Sequence, residues 1–427
     1  MISRRRFLQS SAVVAAGTGV LPLALAAKDA KASLPASIAA LKSLREQAKP
    51  ITTAERLQRI ERARRLMAQN ALDAILLMEG TSLRYFTGIR WWGGERLFAM
   101  VVPVKGEPFY VCPAFEEGRA REQIAHIAAD QADVRTWQED ENPYQRVAQG
   151  LQDRGISTGK LGLEETVRFV FADGIGTAAA GAKIASATPV TAGCRTIKSD
   201  HEIALMRLAA QVTLAAYAAT WRALKPGMTQ NDVAALVSAA HSQLGFEGGA
   251  DVQVGEFSAL PHGSITPQVI REGTIVLMDG GCNAEGYASD ISRTFVLGKP
   301  TDKMKQVFEI VHRAQSAALA AARPGVECGA VDAAARKVIT DAGYGPDYAH
   351  FSHRVGHGMG MDGHEWPYLV RGNPTKLAAN MTFSDEPGIY IRGEFGVRLE
   401  DDMHITENGA ELFTPQSPSL VDPFGKA

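Results

Sequence analysis

Two segments in the second half of the chain each place a pair of acidic residues symmetrically around a turn, and this pairing strongly constrains how the chain folds. An apolar strand ends at Asp279, a glycine-rich loop follows, and the returning strand is predicted from Tyr287 to Leu297. With the hairpin centred on Ala284 and Glu285, Asp279 is predicted to face Asp290 with β-carbons roughly 5 Å apart. Two carboxylates that close repel each other unless a cation lies between them.

The same arrangement recurs downstream. A predicted strand follows Glu386, the chain turns at Arg392 to Gly396, and a second strand leads out to Glu400. The two glutamates are symmetric about Gly393. The chain therefore offers a second pair of facing carboxylates.

Histidines are dense just before this second hairpin. Four of the ten fall between positions 350 and 364, namely His350, His353, His357 and His364. His357 is flanked by glycines, which let the backbone approach a neighbour closely. A set of four carboxylates and one imidazole is rich in oxygen and lacks sulfur, which favours manganese, iron, cobalt or zinc over copper(I) and differs from a structural zinc site.

The first half of the chain predicts a smaller α/β domain with a partly parallel sheet. Apolar residues at near-helical spacing predict a helix from Arg56 to Met67. Strand-like runs follow at Ala74 to Met78, Leu97 to Val104 and Phe109 to Cys112. The domain is predicted to span residues 33–195.

A Pro- and Gly-containing junction leads into a second α/β domain, predicted to span residues 196–427. Ser199 and Glu202 have the spacing of a capping box, which predicts the start of a long helix reaching Leu224. Further helices are predicted from Thr229, from Asp302 to Ala322, and after Val331.

The N-terminal residues 1–32 resemble a bacterial twin-arginine signal peptide. Three arginines within Ser3 to Leu8 precede an uncharged, weakly hydrophobic run from Ser10 to Ala27, and small residues fit cleavage after Ala26 or Ala32. A membrane anchor is the alternative, but glycine and proline dilute a run that barely reaches the roughly 20 residues of a span. No later stretch is expected to span. We therefore expect a periplasmic or secreted protein without a permanent membrane anchor.

Composition excludes few further classes. A chain of 427 residues with 45% apolar content can bury the cores of two domains without help from disulfides. The formal net charge of −2 gives no reason to expect nucleic-acid binding. Four widely spaced cysteines fit packing roles, although export would permit disulfides. These are Cys112, Cys194, Cys282 and Cys328.

From about residue 45 to residue 420, the sequence resembles the pita-bread hydrolases, which include aminopeptidase P, prolidase, methionine aminopeptidase and creatinase. The resemblance implies a C-terminal pita-bread catalytic domain preceded by a smaller creatinase-type α/β domain. The proline-directed branch fits best. The matching segments are Met278 to Gly281, Gly286 to Phe295, Gly356 to Glu365, Asp385 to Tyr390 and Val397 to Asp401.

The resemblance also implies a dinuclear metal centre. One ion would be held by Asp279 and the other by His357 and Glu386, while Asp290 and Glu400 would bridge both. We expect two divalent ions, Mn²⁺ first, with Zn²⁺, Co²⁺ or Fe²⁺ as alternatives. All five ligands are present, which disfavours the metal-free chemistry of creatinase.

Further active-site positions follow from the same resemblance. Glu386 would take a proton from the attacking water and deliver it to the leaving nitrogen. His364 and His262 would stabilise the oxyanion, and His353 with Arg398 would orient the substrate.

The resemblance leaves the substrate and assembly partly open. Trp91 and Trp92 are either apolar walls of a proline pocket or a pair at a surface or subunit interface. In relatives such a loop reaches a neighbouring subunit, so a homodimer or homotetramer is expected. The expected activity is Xaa-Pro cleavage of small peptides, by an aminopeptidase or a dipeptidase. A non-peptidase hydrolase or lyase, or a non-catalytic binding protein, are the alternatives.

Overall fold

The computed structural model describes residues 34–128 and 132–425, so the predicted signal peptide lies outside the described residues. Residues from Pro35 onward form one compact unit. Its N-terminal part contains a six-stranded sheet in the order β4-β3-β2-β1-β5-β6. The strands are β1 (Ala74–Leu77), β2 (Ala99–Pro103), β3 (Phe109–Pro113), β4 (Asp133–Trp137), β5 (Lys160–Leu163) and β6 (Lys183–Ser186).

This sheet confirms the predicted partly parallel topology. Strand β2 runs antiparallel to β1 and β3, and the other three pairings are parallel. The β1 residues are all buried, as expected for a strand covered on both faces. The helices of this part are α1 (Ala36–Ala39), α2 (Thr53–Gln69), α3 (Thr81–Thr87), α4 (Glu117–Ile124), α5 (Pro143–Asp153), α6 (Phe169–Ala178) and α7 (Thr188–Thr196), with 3₁₀ turns at Arg45–Gln47 and Ala114–Glu116.

Four long helices belong to the C-terminal part. The predicted capping box at Ser199 is formed, and the helix predicted from Thr229 also begins with a capping box, so that each helix opens at the next residue. The last helix begins at Cys328, three residues earlier than predicted, and its first N–H groups bond to loop carbonyls rather than to a capping side chain. The helices are α8 (Asp200–Ala223), α9 (Gln230–Gln243), α10 (Asp302–Ala321) and α11 (Cys328–Ile339), with a 3₁₀ segment at Gly255–Ala259 and a π segment at Thr340–Tyr344.

The strands of the C-terminal part form two main sheets. One has the order β11-β8-β7 and shares a core with α8 and α9; the other has the order β13-β12-β14-β17-β18 and shares a core with α10 and α11. The strands are β7 (Asp251–Val254), β8 (Ile275–Gly280), β9 (Asn283–Ala284), β10 (Tyr287–Ala288), β11 (Ile291–Val296), β12 (Gly356–Gly358), β13 (Glu365–Leu369), β14 (Thr382–Asp385), β15 (Gly388–Ile391), β16 (Phe395–Arg398), β17 (Asp401–Ile405) and β18 (Ala410–Leu412).

Helix α8 corrects one expectation from the sequence. By length and composition it is apolar enough to cross a membrane, although no stretch after the signal was expected to be. Its apolar residues are those of a core helix, since 61% of its most apolar window is buried inside the fold. All four cysteines lie in the described part of the chain and are buried and free.

A buried polar contact joins the two parts of the unit. Arg59 on α2 donates from Nη2 to the hydroxyl of Tyr287 at 2.7 Å, and that hydroxyl donates to Glu202 Oε1 at 2.8 Å. Arg59 also lies 3.2 Å from the same carboxylate. Because a buried charge is costly without its partner, this triad fixes the N-terminal part against the hairpin that carries Tyr287.

We predict that buried His241 makes the fold acid-sensitive. Its ring contacts the Val237 carbonyl and the Thr213 hydroxyl, and burial lowers its pKa to about 4. In the unfolded chain the pKa of His241 is about 6.5. As the pH falls below this pKa, the unfolded chain binds a proton that the folded chain does not bind, so stability falls until about pH 4. Between pH 7 and pH 5 the free energy of unfolding should fall by about 2 kcal/mol more in the wild type than in His241→Gln, measured by urea unfolding. Equal losses would show that His241 does not titrate abnormally.

Candidate metal centre

The five predicted ligands come together where the two main sheets meet. Three overlapping groups each have ligand atoms within 4.8 Å of one another, and Glu400 belongs to two of these groups. A shared carboxylate between neighbouring groups is what two adjacent cations require. The groups are Asp279 with Asp290 and Glu400, His357 with Glu386 and Glu400, and Asp290 with His357 and His364.

The first hairpin differs in register from the prediction. Its turn lies at Glu285 and Gly286, which both have positive φ (53° and 105°), so Asp279 faces Ser292 instead of Asp290. A turn of two positive-φ residues suits an X-Gly pair and moves the hairpin centre by one residue. Asp290 lies two residues from Ser292, on the same face, and therefore still reaches Asp279 diagonally.

The second hairpin has the predicted register. Gly388 pairs with Arg398, and beyond the glutamates Asp385 pairs with Asp401 in the same alignment. Glu386 and Glu400 thus occupy facing positions between two stretches of paired backbone. An isolated bridge between Ser292 and Glu400 joins this hairpin to the first.

His357 is placed by a close approach of backbones. A β-carbon at Gly356 would lie 2.1 Å from the Ser384 carbonyl oxygen, and one at Gly358 would lie 2.6 Å from a carbonyl oxygen of the adjacent strand, so both positions need glycine. Nδ1 of His357 lies 3.1 Å from the Gly358 carbonyl, which leaves Nε2 free, 3.3 Å from Glu386 Oε1. This tautomer presents Nε2 as a metal ligand.

The electrostatics of the cluster fit divalent cations. Burial, and then repulsion from Asp279, raises the pKa of Asp290 to about 7, and burial next to other carboxylates raises the pKa values of Glu386 and Glu400. Burial also opposes ionisation of Asp279, but the charge of Arg398 and the hydrogen bonds from Ser292, Glu400 and Arg398 together outweigh burial and lower that pKa. One guanidinium cannot neutralise four carboxylates. Two divalent ions would supply the missing positive charge and match the oxygen-rich set.

Ser292 links two ligands and was not singled out from the sequence. Its hydroxyl lies 2.7 Å from Asp279 Oδ1 and 2.6 Å from Glu400 Oε2, and it accepts a bond from Arg398 Nε at 2.9 Å. The available signal was its position two residues after Asp290, on the same face of a strand. Such supporting groups fix the orientation of metal ligands.

Arg398 lies behind the ligands and is buried. It pairs with Asp279 and donates from Nη1 to the Tyr390 hydroxyl at 2.9 Å and to the Pro261 carbonyl at 3.2 Å. With Nε on Ser292, most of its donors are engaged by protein. Direct orientation of a substrate by Arg398, expected from the resemblance, stays a prediction, whereas its contacts position a ligand.

The three further histidines surround the cluster. His353 contacts the Tyr390 hydroxyl at 2.7 Å and lies 3.8 Å from Glu386 Oε2, and burial lowers its pKa to about 3. His364 stacks on His357 with ring centroids 3.7 Å apart. Burial, and then the charge of Arg354, lowers the pKa of His364. His262 is exposed and lines a cavity of about 330 Å³.

The tryptophan pair makes its contacts within the N-terminal part. Trp91 stacks on Phe98 with ring centroids 4.0 Å apart, and the guanidinium of Arg119 lies over both indoles. Trp92 is 73% exposed. The structure therefore does not place either residue among the ligands, and their role as pocket walls stays a prediction.

Comparison with known proteins identifies the class. Residues 204–407 match the model of metallopeptidase family M24, and residues 59–197 match the creatinase/prolidase N-terminal domain. The chain belongs to metallopeptidase family M24, with a pita-bread catalytic domain and a creatinase-type N-terminal domain.

Individual relatives cover nearly the whole described chain. This chain is 34% identical to a putative dipeptidase, YkvY, of Bacillus subtilis, and the match covers 86% of this chain and 99% of the relative. It is also 34% identical to an Xaa-Pro dipeptidase of Lactobacillus delbrueckii, with 84% of this chain and 98% of that relative covered. Among solved structures, the dipeptidase PepE of Mycobacterium ulcerans has a TM-score of 0.81 at 34% identity, covering 87% of this chain and 99% of that one. An X-Pro aminopeptidase of Thermotoga maritima has a TM-score of 0.72 at 29% identity, covering 85% and 99%.

We predict that Ser292→Ala weakens metal binding about 10- to 100-fold, the usual cost of removing a group that orients a ligand. Alanine fits the buried position, so the change removes only the hydroxyl that lies between Asp279 and Glu400. Competition with a chelator, read as metal retained per chain, measures the effect. Ser264→Ala, on the loop after His262, is the matched control. Equal retention in the two variants would contradict the role of Ser292.

Proposed function

We propose that this protein is a dinuclear metal-dependent dipeptidase that hydrolyses the bond before proline in Xaa-Pro dipeptides. The observation that carries the proposal is a cluster of four carboxylates and one imidazole surrounded by His262, His353 and His364. Several relatives are named Xaa-Pro dipeptidases, at 34%, 32% and 30% identity, which supports a dipeptide substrate.

The ligands divide between two cations. Asp279 would hold one ion, His357 and Glu386 the other, and Asp290 and Glu400 both. Mn²⁺ is the proposed metal because oxygen ligands predominate, with Zn²⁺, Co²⁺ or Fe²⁺ as alternatives. When bound, the ions lower the pKa of a water toward neutrality and polarise the scissile carbonyl.

Glu386 is the proposed proton carrier. Its Oε1 lies 3.2 Å from the Ser384 hydroxyl and its Oε2 lies 3.8 Å from His353 Nδ1, so the carboxylate is held at the edge of the cluster. It would accept a proton from the attacking water and deliver it to the nitrogen of the leaving proline, which a secondary amine needs to depart.

The histidines are proposed to act on the substrate. His364 and His262 would donate hydrogen bonds to the oxyanion that forms on the carbonyl, and His353 would orient the substrate. Tyr390 connects His353 to Arg398, so Arg398 is proposed to act through this hydroxyl and through Asp279.

Export and assembly complete the proposal. We infer that residues 1–32 direct twin-arginine export to the periplasm or beyond, which a mass measurement of the mature N-terminus tests.

A homodimer or homotetramer is proposed, and the exposure of Trp92 supports its contact with a neighbouring subunit or a substrate. Sedimentation velocity of Trp92→Ala tests that contact.

We expect the mature protein, reconstituted with Mn²⁺, to hydrolyse Xaa-Pro dipeptides, as measured by release of free proline. Cleavage of Xaa-Pro-Yaa tripeptides as well would redefine it as an aminopeptidase. Asp290→Ala, which removes a shared ligand, should lack activity on either substrate. Two bound metals per chain without cleavage of either peptide would favour a non-peptide substrate on the same scaffold.

Glu386→Gln should lose far more activity than His353→Ala. The amide cannot carry a proton, and loss of general acid–base catalysis costs roughly 10²- to 10⁴-fold in rate. His353 only orients the substrate, so His353→Ala should raise KM more than it lowers kcat. Because Glu386 is also a proposed ligand, metal content is measured for each variant and rates are compared per metal-loaded chain. Comparable losses of kcat in the two metal-loaded variants would refute these roles.

A further inference from the structure

A second cavity lies at the turn of the first hairpin, and arginines dominate it. Arg45, Arg84 and Arg90 line a volume of about 700 Å³ together with the turn residues Glu285 and Gly286. None of its lining residues is a proposed metal ligand or one of the surrounding histidines. The remaining lining residues are Ser242, Gly245, Phe246, Glu247 and Asn283.

Only one of these three guanidiniums has a carboxylate partner among the described residues. Arg45 pairs with Glu285. Within residues 34–128 and 132–425, no hydrogen bond or ion pair is formed by the side chain of Arg84, of Arg90 or of the adjacent Arg56. Nε of Arg56 is buried and has no hydrogen-bond partner among the described residues. Arg56 does not line the cavity itself, but Arg84 and Arg90 do, and charged donors that face a cavity without an acceptor indicate an anionic ligand.

The like charges also repel one another. Burial, followed by the charge of Arg90, lowers the pKa of Arg84, and burial with the charge of Arg59 lowers the pKa of Arg56. A guanidinium does not lose its proton at neutral pH, so the chain cannot remove this repulsion by titration. Glu285 offsets one charge and is already bonded to Arg45.

We propose that this cavity is an anion site that binds the phosphate group of a small molecule, either inorganic phosphate or a phosphate monoester. Guanidiniums bind phosphate oxygens through paired N–H groups, and a dianion neutralises both unpaired arginines that line the cavity, Arg84 and Arg90, where one carboxylate neutralises a single one. Arg84 packs against Gly286, where an added β-carbon would lie 2.9 Å from its guanidinium, so the bound group would contact the hairpin turn.

The test uses the metal-loaded protein and two probes, inorganic phosphate and glycerol phosphate. Binding is measured by calorimetry and by the shift of the thermal unfolding midpoint, since a ligand of the folded state raises this midpoint. Arg84→Gln/Arg90→Gln should raise the midpoint without anion, because repulsion is relieved, and should weaken probe binding at least tenfold. Arg90→Gln alone, at an exposed position, should weaken binding without risk to folding.

The matched control is Arg313→Gln, an exposed arginine of α10 that removes the same charge and should keep the wild-type response. Binding of inorganic phosphate but not of the monoester would identify the free ion as the ligand, and equal binding would identify the shared phosphate group. Equal probe binding by the wild type and the double variant would overturn the proposal, because the probe would then occupy the metals or another surface. Absence of probe binding in the wild type would also overturn the proposal. If the double variant then sediments differently from the wild type, the arginines belong to a subunit interface.

Discussion

Mutual repulsion among four closely spaced carboxylates, one buried and three half-buried, is the constraint on which the rest of the catalytic domain depends. The ligand atoms of Asp279, Asp290 and Glu400 lie within 4.8 Å of one another, and burial raises the cost of ionising each of them after the first. Carboxylates stay this close only where the backbone fixes their positions and positive charge offsets their repulsion. The two hairpins supply the geometry, Arg398 supplies one charge, and the proposed cations supply the rest.

Rigid support for the ligands extends beyond the cluster itself. Arg293 is fully buried, pairs with Asp401 at 2.6 Å and donates to the Glu400 carbonyl at 2.8 Å, which fixes the strand end that bears this ligand. The backbone N–H of Asp290 lies 3.2 Å from Asp402. Because the backbones of Glu400 and Asp290 are both held by buried side chains, the two proposed shared ligands are positioned by the protein itself.

Local signals in the sequence predicted most local structure, and the misses arose where a turn conformation or a distant partner was the determinant. The capping box at Ser199 and the turn residue Thr229 placed two helix starts correctly, and symmetry about Gly393 predicted the right register for the second hairpin. The predicted register of the first hairpin was wrong by one residue because the spacing of apolar residues does not reveal the positive-φ turn at Glu285. Ser292 went unnoticed because a serine in a strand has no distinctive pattern, and its role depends on Glu400 from a distant hairpin.

The first hairpin therefore connects two electrostatic environments of opposite sign. Asp279 and Asp290 lie at one end of it, and its turn, at Glu285, lies among arginines that belong mainly to the N-terminal part. Between them, Tyr287 is bonded to Arg59, so the hairpin is anchored where it crosses from one domain to the other. An isolated catalytic domain would keep the bond from Tyr287 to Glu202 but would lose Arg59 and most of the positive charge around Glu285. The N-terminal domain thus has a physical role in holding the ligand-bearing hairpin, in addition to any contact with substrate.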